Sequence, residues 1–314
     1  MNGLCKVALG ALLILVGCGS SSSEQSGGTG GAGGTGGSGG GARTCATDIA
    51  VGEVQAFGPE TPTRTEGITF DADGNLFVSA LYNDADDELL SIATDGSSQS
   101  VAQAASLLGL ANSENGILAA GIDTGELLLI DTTDGSVEAI AQDLGAPNFV
   151  VTTPWGTILV SDDSQGENTI DEVTWEGQVS TWVQGVPTPN GMVFSLDGRT
   201  LYVASTFEEP GLWIVPVSEN GEAGTPEKWV AFESTTPDGV AIDSEGNVYV
   251  ALNFTNQIAK VDPEGNASII AEGVEFAASL AFGQGEFDPC SIYVTSLFGR
   301  QLWRVGTGVL GTEN

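Results

Sequence analysis

The sequence predicts an all-β chain folded as a six-bladed β-propeller, and three observations predict it. Short apolar runs recur on either side of Asp/Gly turns, no segment after residue 20 keeps a long 3.6-residue period, and glycine supplies 45 of 314 residues. In the clearest units one run enters the turn and a second leaves it. Residues 67–70 pass through 71–75 into 76–78, residues 191–194 through 195–199 into 201–203, and residues 239–242 through 243–247 into 248–250. Asp/Asn-Gly turns between β-branched and aromatic runs are hairpin chemistry. Two further units, at 116–120 and at 280–282 followed by 292–294, match less closely. Unit starts at Gly67, Gly116, Asn148, Asn190, Asp238 and Ser279 are 49, 32, 42, 48 and 41 residues apart, close to the roughly 40–45 residues of a propeller repeat. The second unit, residues 104–143, is expected to be the degenerate one.

Three segments are expected: a signal peptide at 1–17, a tether at 18–44 and the propeller at 45–314. Lys6 precedes the apolar run 7–16, which is too short for a spanning helix of about 20 residues and reads as a targeting segment. The sequence Leu15-Val16-Gly17-Cys18 resembles a bacterial lipoprotein cleavage box, which implies cleavage before Cys18 and lipid on its sulfur; the alternative is a plain secretory signal. Residues 19–43 are nearly all Ser, Gly and Thr and cannot bury enough apolar surface to fold, so they read as a flexible linker. By the same resemblance, Gly19 stands where an inner-membrane retention signal places Asp. That points to an exported bacterial lipoprotein at the outer membrane or cell surface/periplasm, the outer membrane being favoured in a Gram-negative cell.

Export leaves Cys45 and Cys290 as a pair in an oxidising compartment. A propeller commonly closes by letting an N-terminal strand complete the last blade, and residues 49–57 form a strand candidate without another partner. A Cys45–Cys290 disulfide would lock that closure; two free buried thiols are the alternative.

Charge excludes whole classes of function. The net charge is −34, and losing residues 1–17 removes Lys6 and no acid, which takes it to −35. Nucleic acid and anionic lipid surfaces are repelled, so contact with a membrane is expected through the lipid anchor only. The chain has no histidine, which rules out a Ser-His-Asp triad, a Cys-His pair and a His-ligated zinc. Any chemistry must use carboxylates, amides or a bound metal.

Four units open on an oxygen-bearing side chain just ahead of the apolar run: Glu66, Asn148, Asn190 and Asp238. If each run is the innermost strand of a blade, these side chains converge on the propeller axis, because equivalent positions in radial repeats surround the central channel. One Glu, one Asp and two Asn make an all-oxygen cage suited to a hard divalent cation, calcium first, with magnesium or manganese as alternatives. The second strand of each unit returns to the same end, so the loops after it rim the same mouth. Asp84, Asp86, Asp87, Asp162, Asp163, Glu208 and Glu209 would make that rim negative, with Tyr82, Phe207, Phe254 and Phe298 as apolar walls. Such a mouth favours small neutral or cationic substrates.

The ordered set Glu66-Gly67, Pro147-Asn148, Pro189-Asn190-Gly191 and Pro237-Asp238-Gly239 resembles the calcium-dependent six-bladed propellers grouped as senescence marker protein, gluconolactonase and luciferin-regenerating enzyme. Paraoxonase-type lactonases share that architecture. The resemblance covers about residues 45–306 and implies metal ligation by Glu66, Asn148, Asn190 and Asp238. It also implies hydrolysis of a lactone or related ester, the carbonyl polarised by calcium and Asp238 acting as base or nucleophile. Asp162, at the top of a second strand, is the alternative base, with a strand-end cap as its structural role. The family's sugar-lactone hydrolases carry Arg where Ala146 stands, which puts gluconolactone in question. Paraoxonase-like members place Asp where Phe149 and Gly67 stand, so one calcium is expected rather than two. A monomer is expected. The other reading of the same features is a non-catalytic calcium-holding propeller that binds a ligand or protein partner.

The remaining polar and aromatic features are assigned to structure. The six Trp, among them Trp155, Trp182, Trp213 and Trp229, could form a carbohydrate-stacking set, but they fall at turns and outer strands and are expected to pack between blades. Asp73, Asp197 and Asp243, beside Gly, are expected to form turns. Arg64 could pair with Glu66 or touch substrate, and a surface ion pair is the favoured reading.

Overall fold

The computed structural model describes Cys45, residues 48–163 and residues 168–312. The expected signal segment, Cys18, the whole of the linker and positions 164–167 of one rim loop lie outside the described residues. The chain enters through β1 (Val54–Phe57). Blade 1 then comprises β2 (Arg64–Phe70), β3 (Leu76–Leu81), β4 (Asp87–Ile92) and β5 (Ser98–Ala104). Blade 2 comprises β6 (Leu110–Ser113), β7 (Gly116–Gly121), β8 (Glu126–Ile130) and β9 (Val137–Ala141). Blade 3 has β10 (Pro147–Thr152), β11 (Ile158–Asp162), β12 (Thr169–Val173) and β13 (Val179–Gln184); blade 4 has β14 (Pro189–Phe194), β15 (Thr200–Ser205), β16 (Gly211–Pro216) and β17 (Glu227–Ala231). Blade 5 is β18 (Pro237–Ile242), β19 (Val248–Leu252), β20 (Gln257–Val261) and β21 (Ala267–Glu272), with a 3₁₀ turn at Asn253–Thr255. Blade 6 supplies β22 (Ala277–Phe282), β23 (Ser291–Ser296) and β24 (Leu302–Gly306).

Each sheet is a four-stranded antiparallel meander, and in blade 6 the fourth place is taken by β1, which pairs antiparallel with β24 from Val54↔Val305 to Phe57↔Leu302. Only residues 54–57 of the expected 49–57 strand are extended. Gly52 turns the chain ahead of β1, and Ile49 is buried. Cys45 is bonded to Cys290, closing a loop of 245 residues and tying the segment before β1 to the β22–β23 loop. In the chain-entropy account a loop of this length contributes up to about 5 kcal/mol.

The innermost strands β2, β6, β10, β14, β18 and β22 neighbour one another in that order, and β22 meets β2 again, so the ring is closed. The core is divided among the blade interfaces. Six apolar clusters each join two adjacent blades; one sets Ile68, Phe70 and Leu76 of blade 1 against Ala281, Tyr293 and Leu302 of blade 6. Sequence follows this radial plan. Every residue of β3, β11, β19 and β23 is buried, as expected of strands covered on both faces, whereas the outer strands β5, β13 and β21 carry polar residues and are largely exposed. Each fully buried Leu, Ile or Phe in these interfaces contributes about 1.5–3 kcal/mol of transfer free energy.

Blade 2 corrects the sequence reading. Its inner strand is β6, and Gly116, taken there as a unit start, opens the second strand after a tight turn between Ser113 and Gly116.

Candidate metal centre

A single irregularity recurs in five of the six inner strands. The pairing of strands one and two shifts register between Thr65 and Ile68, Pro147 and Val150, Pro189 and Met192, Pro237 and Val240, and Ala277 and Leu280. The first residue inside each shift is Glu66, Asn148, Asn190, Asp238 and Ala278. A bulge releases a side chain from the normal alternation of the strand and re-aims it, and here it does so at the same height in each blade. The amide that the bulge would leave unpaired is recovered by a second-strand hydroxyl: the N–H of Gly67 donates to Ser79 Oγ (2.7 Å), that of Phe149 to Ser161 Oγ (3.0 Å) and that of Ser279 to Thr295 Oγ1 (2.9 Å). Glycine after the re-aimed residue lets neighbouring blades approach. A Cβ on Gly191 would lie 2.4 Å from the Asp238 carbonyl oxygen, and one on Gly239 would lie 2.6 Å from Ser279 Cα. Blade 6 offers only Ala278 at this place, and β6 pairs with β7 without a shift. The polar set therefore comes from blades 1, 3, 4 and 5.

Glu66, Asn148, Asn190 and Asp238 are all buried, and their hydrogen bonding is one-sided. Asn148 Nδ2 donates to Asp163 Oδ2 at 2.9 Å, and the Asn190 amide donates to Asp238. With both NH₂ groups committed to carboxylates, Oδ1 of Asn148, Oδ1 of Asn190 and Oε2 of Glu66 are left buried without a donor. An orphaned buried acceptor costs about 1–3 kcal/mol, so three in one cluster represent a sizeable deficit. A cation removes it.

The electrostatics have the same sign. Burial raises the Glu66 carboxyl well above its usual range, the charges of Asp238 and Asp163 raise it further, and Arg64 opposes them. Burial and then Asp163 push Asp238 up to about 8, against the hydrogen bond from Asn190. Asp163 is itself raised by burial, which outweighs its bond from Asn148. Three carboxyl groups that resist ionisation chiefly because they are buried, together with three donor-starved oxygens, fit a hard divalent ion. Among the described residues no three His, Cys, Asp or Glu side chains form a metal-holding group by themselves. Two carboxylates and two amide oxygens, Glu66, Asp238, Asn148 and Asn190, make up the donor set that fits.

The expected rim is partly redistributed. Asp162, the alternative base, is buried and its Oδ1 accepts the N–H of Ala146 at 3.1 Å, a strut within blade 3. The next residue, Asp163, is the one joined to the cluster. Its place could not be read from an Asp-Asp pair whose register depends on the bulge opposite. Asp87 is not a rim charge: it is buried and accepts the N–H groups of Tyr82 and Leu107. Asp84, Asp86, Glu208 and Glu209 are exposed, Glu209 facing Lys228 at 3.7 Å. Phe207, Phe254 and Phe298 are exposed as well. The rings of Phe254 and Phe298 lie parallel with centroids 6.5 Å apart, and Phe276 sits edge-on to Phe298. Of the tryptophans, Trp155 and Trp182 stack at 6.1 Å and Trp229 packs on Tyr202, a structural role. Asp243 and Asp197 bind turn amides as expected, but in the first turn Asp71 does this and Asp73 only donates to it.

Fold and site together define a class: six-bladed propellers that gather acids and amides from several inner strands at one point on the axis. Within that class the chain belongs to the SMP-30/gluconolactonase/LRE-like family, whose model, described as SMP-30/Gluconolactonase/LRE-like region, matches residues 64–298. It is similar to the pentonolactonase XacC of Haloferax volcanii, 27% identical over 203 residues covering 62% of this chain and 68% of that protein. In structure it is similar to a gluconolactonase of Xanthomonas campestris (TM-score 0.69, 17% identity, 81% of this chain and 89% of that one). It is also similar to regucalcin of Agrobacterium tumefaciens, described as a calcium-binding protein (TM-score 0.65, 22% identity, 81% and 93%).

Proposed function

We propose that this protein is a calcium-dependent lactone hydrolase, exported as a lipoprotein and held at the outer membrane by lipid on Cys18. The observation that carries the reading is the convergence of three donor-starved oxygens, on Glu66, Asn148 and Asn190, around the raised carboxyl of Asp238, in a chain of a family that includes lactonases. Glu66, Asn148, Asn190 and Asp238 would hold a calcium ion, which when bound would supply Lewis-acid polarisation of a lactone carbonyl.

The chain's own residues do the rest. Asn148 and Asn190 present Oδ1 to the axis because their NH₂ groups are fixed by Asp163 and Asp238. Asp163 orients Asn148, and Asp238 takes a proton from the water that adds to the carbonyl carbon or itself adds to that carbon, the ring C–O bond breaking as the ring opens. The exposed Phe207, Phe254 and Phe298 form an apolar wall on which the substrate's hydrocarbon part rests. The substrate is a small lactone or ester, and the protein acts as a monomer.

The test is hydrolysis of a panel of lactones and aryl esters by the purified full-length chain, with calcium and with chelator. Turnover with calcium that disappears on chelation and in Glu66→Gln supports the proposal. Calcium binding without turnover on any member of the panel replaces it with a ligand-binding propeller.

A further inference from the structure

Arg64 is the one lysine or arginine among the described residues that has neither an ion pair, a hydrogen bond nor a ring to lie on. Arg199 meets Glu219 at 3.0 Å, Lys228 meets Glu209 and Arg300 meets Glu60 at 3.7 Å, Arg304 bridges Asp48 and Asp288, and Lys260 lies over the Tyr249 ring. In a chain with 42 acids and only 8 Lys or Arg, an unpaired guanidinium is an exception. It is also placed at the site. Arg64 opens β2, paired with Leu81 at the end of β3, just ahead of the rim loop that carries Asp84 and Asp86. Between Arg64 and Glu66, Thr65 Oγ1 accepts the N–H of Ser296 in blade 6. Arg64 thus stands two residues before Glu66, immediately ahead of the bulge that re-aims Glu66. The charge of Arg64 is felt at Glu66 and at Asp87, whose carboxylate oxygens are already taken by two backbone amides.

We infer that Arg64 is a specificity-determining residue whose guanidinium fork receives a second oxygen-bearing group of the substrate, a carboxylate or a pair of hydroxyls beside the lactone ring. The inference rests on the hydrolase reading and sharpens its substrate class. A guanidinium presents five N–H donors in a rigid plane that matches two oxygens at once, and a lysine cannot reproduce that geometry. Because the two acids on which its charge acts, Glu66 and Asp87, are respectively a candidate metal ligand and a backbone strut, neither is free to saturate it. The fork stays available to a molecule seated on the axis.

Three γ-lactones separate the possibilities: γ-butyrolactone with no further oxygen group, its 4-carboxylate derivative, and erythronolactone with two ring hydroxyls. For the full-length chain with calcium, Arg64→Met is expected to raise KM about tenfold or more on the carboxylate or the diol, with kcat within about threefold. γ-Butyrolactone is left nearly unchanged, and Arg64→Lys restores only part of the loss. The substituted lactone that loses affinity identifies the group Arg64 reads. Calcium affinity in Arg64→Met is retained or increased, since a positive charge beside Glu66 has gone, which a collapse of the site would not produce. Equal losses on all three lactones, or none, overturn the inference. If the wild-type chain hydrolyses nothing, the hydrolase reading falls, and Arg64 is then tested by titrating the two hydrolysis products, 2-hydroxyglutarate and erythronate. Binding of either that weakens about tenfold in Arg64→Met upholds it, and binding that is absent or unaltered overturns it.

Discussion

Asp238 and Asp243 stand five residues apart at opposite ends of β18, both buried, and they live in opposite chemical surroundings. Asp243 accepts the N–H groups of Glu245 and Asn247, the Asn247 amide and the Tyr249 hydroxyl, four donors for one carboxylate. Asp238 has the Asn190 amide and otherwise faces the carboxylates of Asp163 and Glu66. The first pattern closes a turn and is complete within the protein. The second is a site completed only from outside. Burial alone does not separate a structural acid from a functional one here; the balance of donors does.

The comparison breaks most visibly in activity. Asp238→Asn and Glu66→Gln are each expected to lower kcat/KM by a factor of about 10² to 10³ or more, read from steady-state hydrolysis with calcium in excess. In stability the order reverses. Asp243→Ala strands its turn donors and is expected to cost about 3 kcal/mol in denaturant unfolding, whereas Asp238→Asn in chelator removes an uncompensated carboxylate and leaves the midpoint unchanged or raised. Asp163→Ala frees the Asn148 amide to turn over, and calcium affinity is expected to fall about 10- to 100-fold by titration.

The smallest effect is in pH. Asp238 has a folded-state pKa of about 8 against an ordinary value near 3.8, so between roughly pH 4 and 8 the folded chain holds a proton that the unfolded chain has lost. Stability of the chelated protein therefore declines as pH rises through that window. Calcium, which binds the ionised form, is expected to raise the melting temperature more at pH 8 than at pH 5, as differential scanning calorimetry would record.

Much of this was legible in the sequence because it repeats. Hairpins joined by Asp/Gly turns announce a radial array, and four polar residues in one phase of that array announce the axis. The unread parts are those where the phase breaks. Blade 2 was misplaced because the turn after β6 lacks the Asp-x-x-Gly-Asn chemistry of residues 71–75 and 243–247, and Gly116 imitates a unit start. Asp163 was passed over for Asp162 because one residue of register decides which of two adjacent acids faces the cluster, and the bulge that sets it has no signature in composition. The rim position of Asp87 failed for a related reason: a strand-opening acid satisfies nearby amides before it serves solvent. For Arg64 the sequence leaves a pair with Glu66, substrate contact and a surface ion pair all open, because one sequence cannot show which of its neighbours are engaged elsewhere.

Titration of chelator-treated full-length protein with calcium, wild type beside Glu66→Gln, tests the central claim most directly. A single calcium site in the wild type that is lost or weakened at least about a hundredfold in the variant is the result expected of an axial oxygen cage. No calcium binding, or binding undiminished by Glu66→Gln, would contradict it.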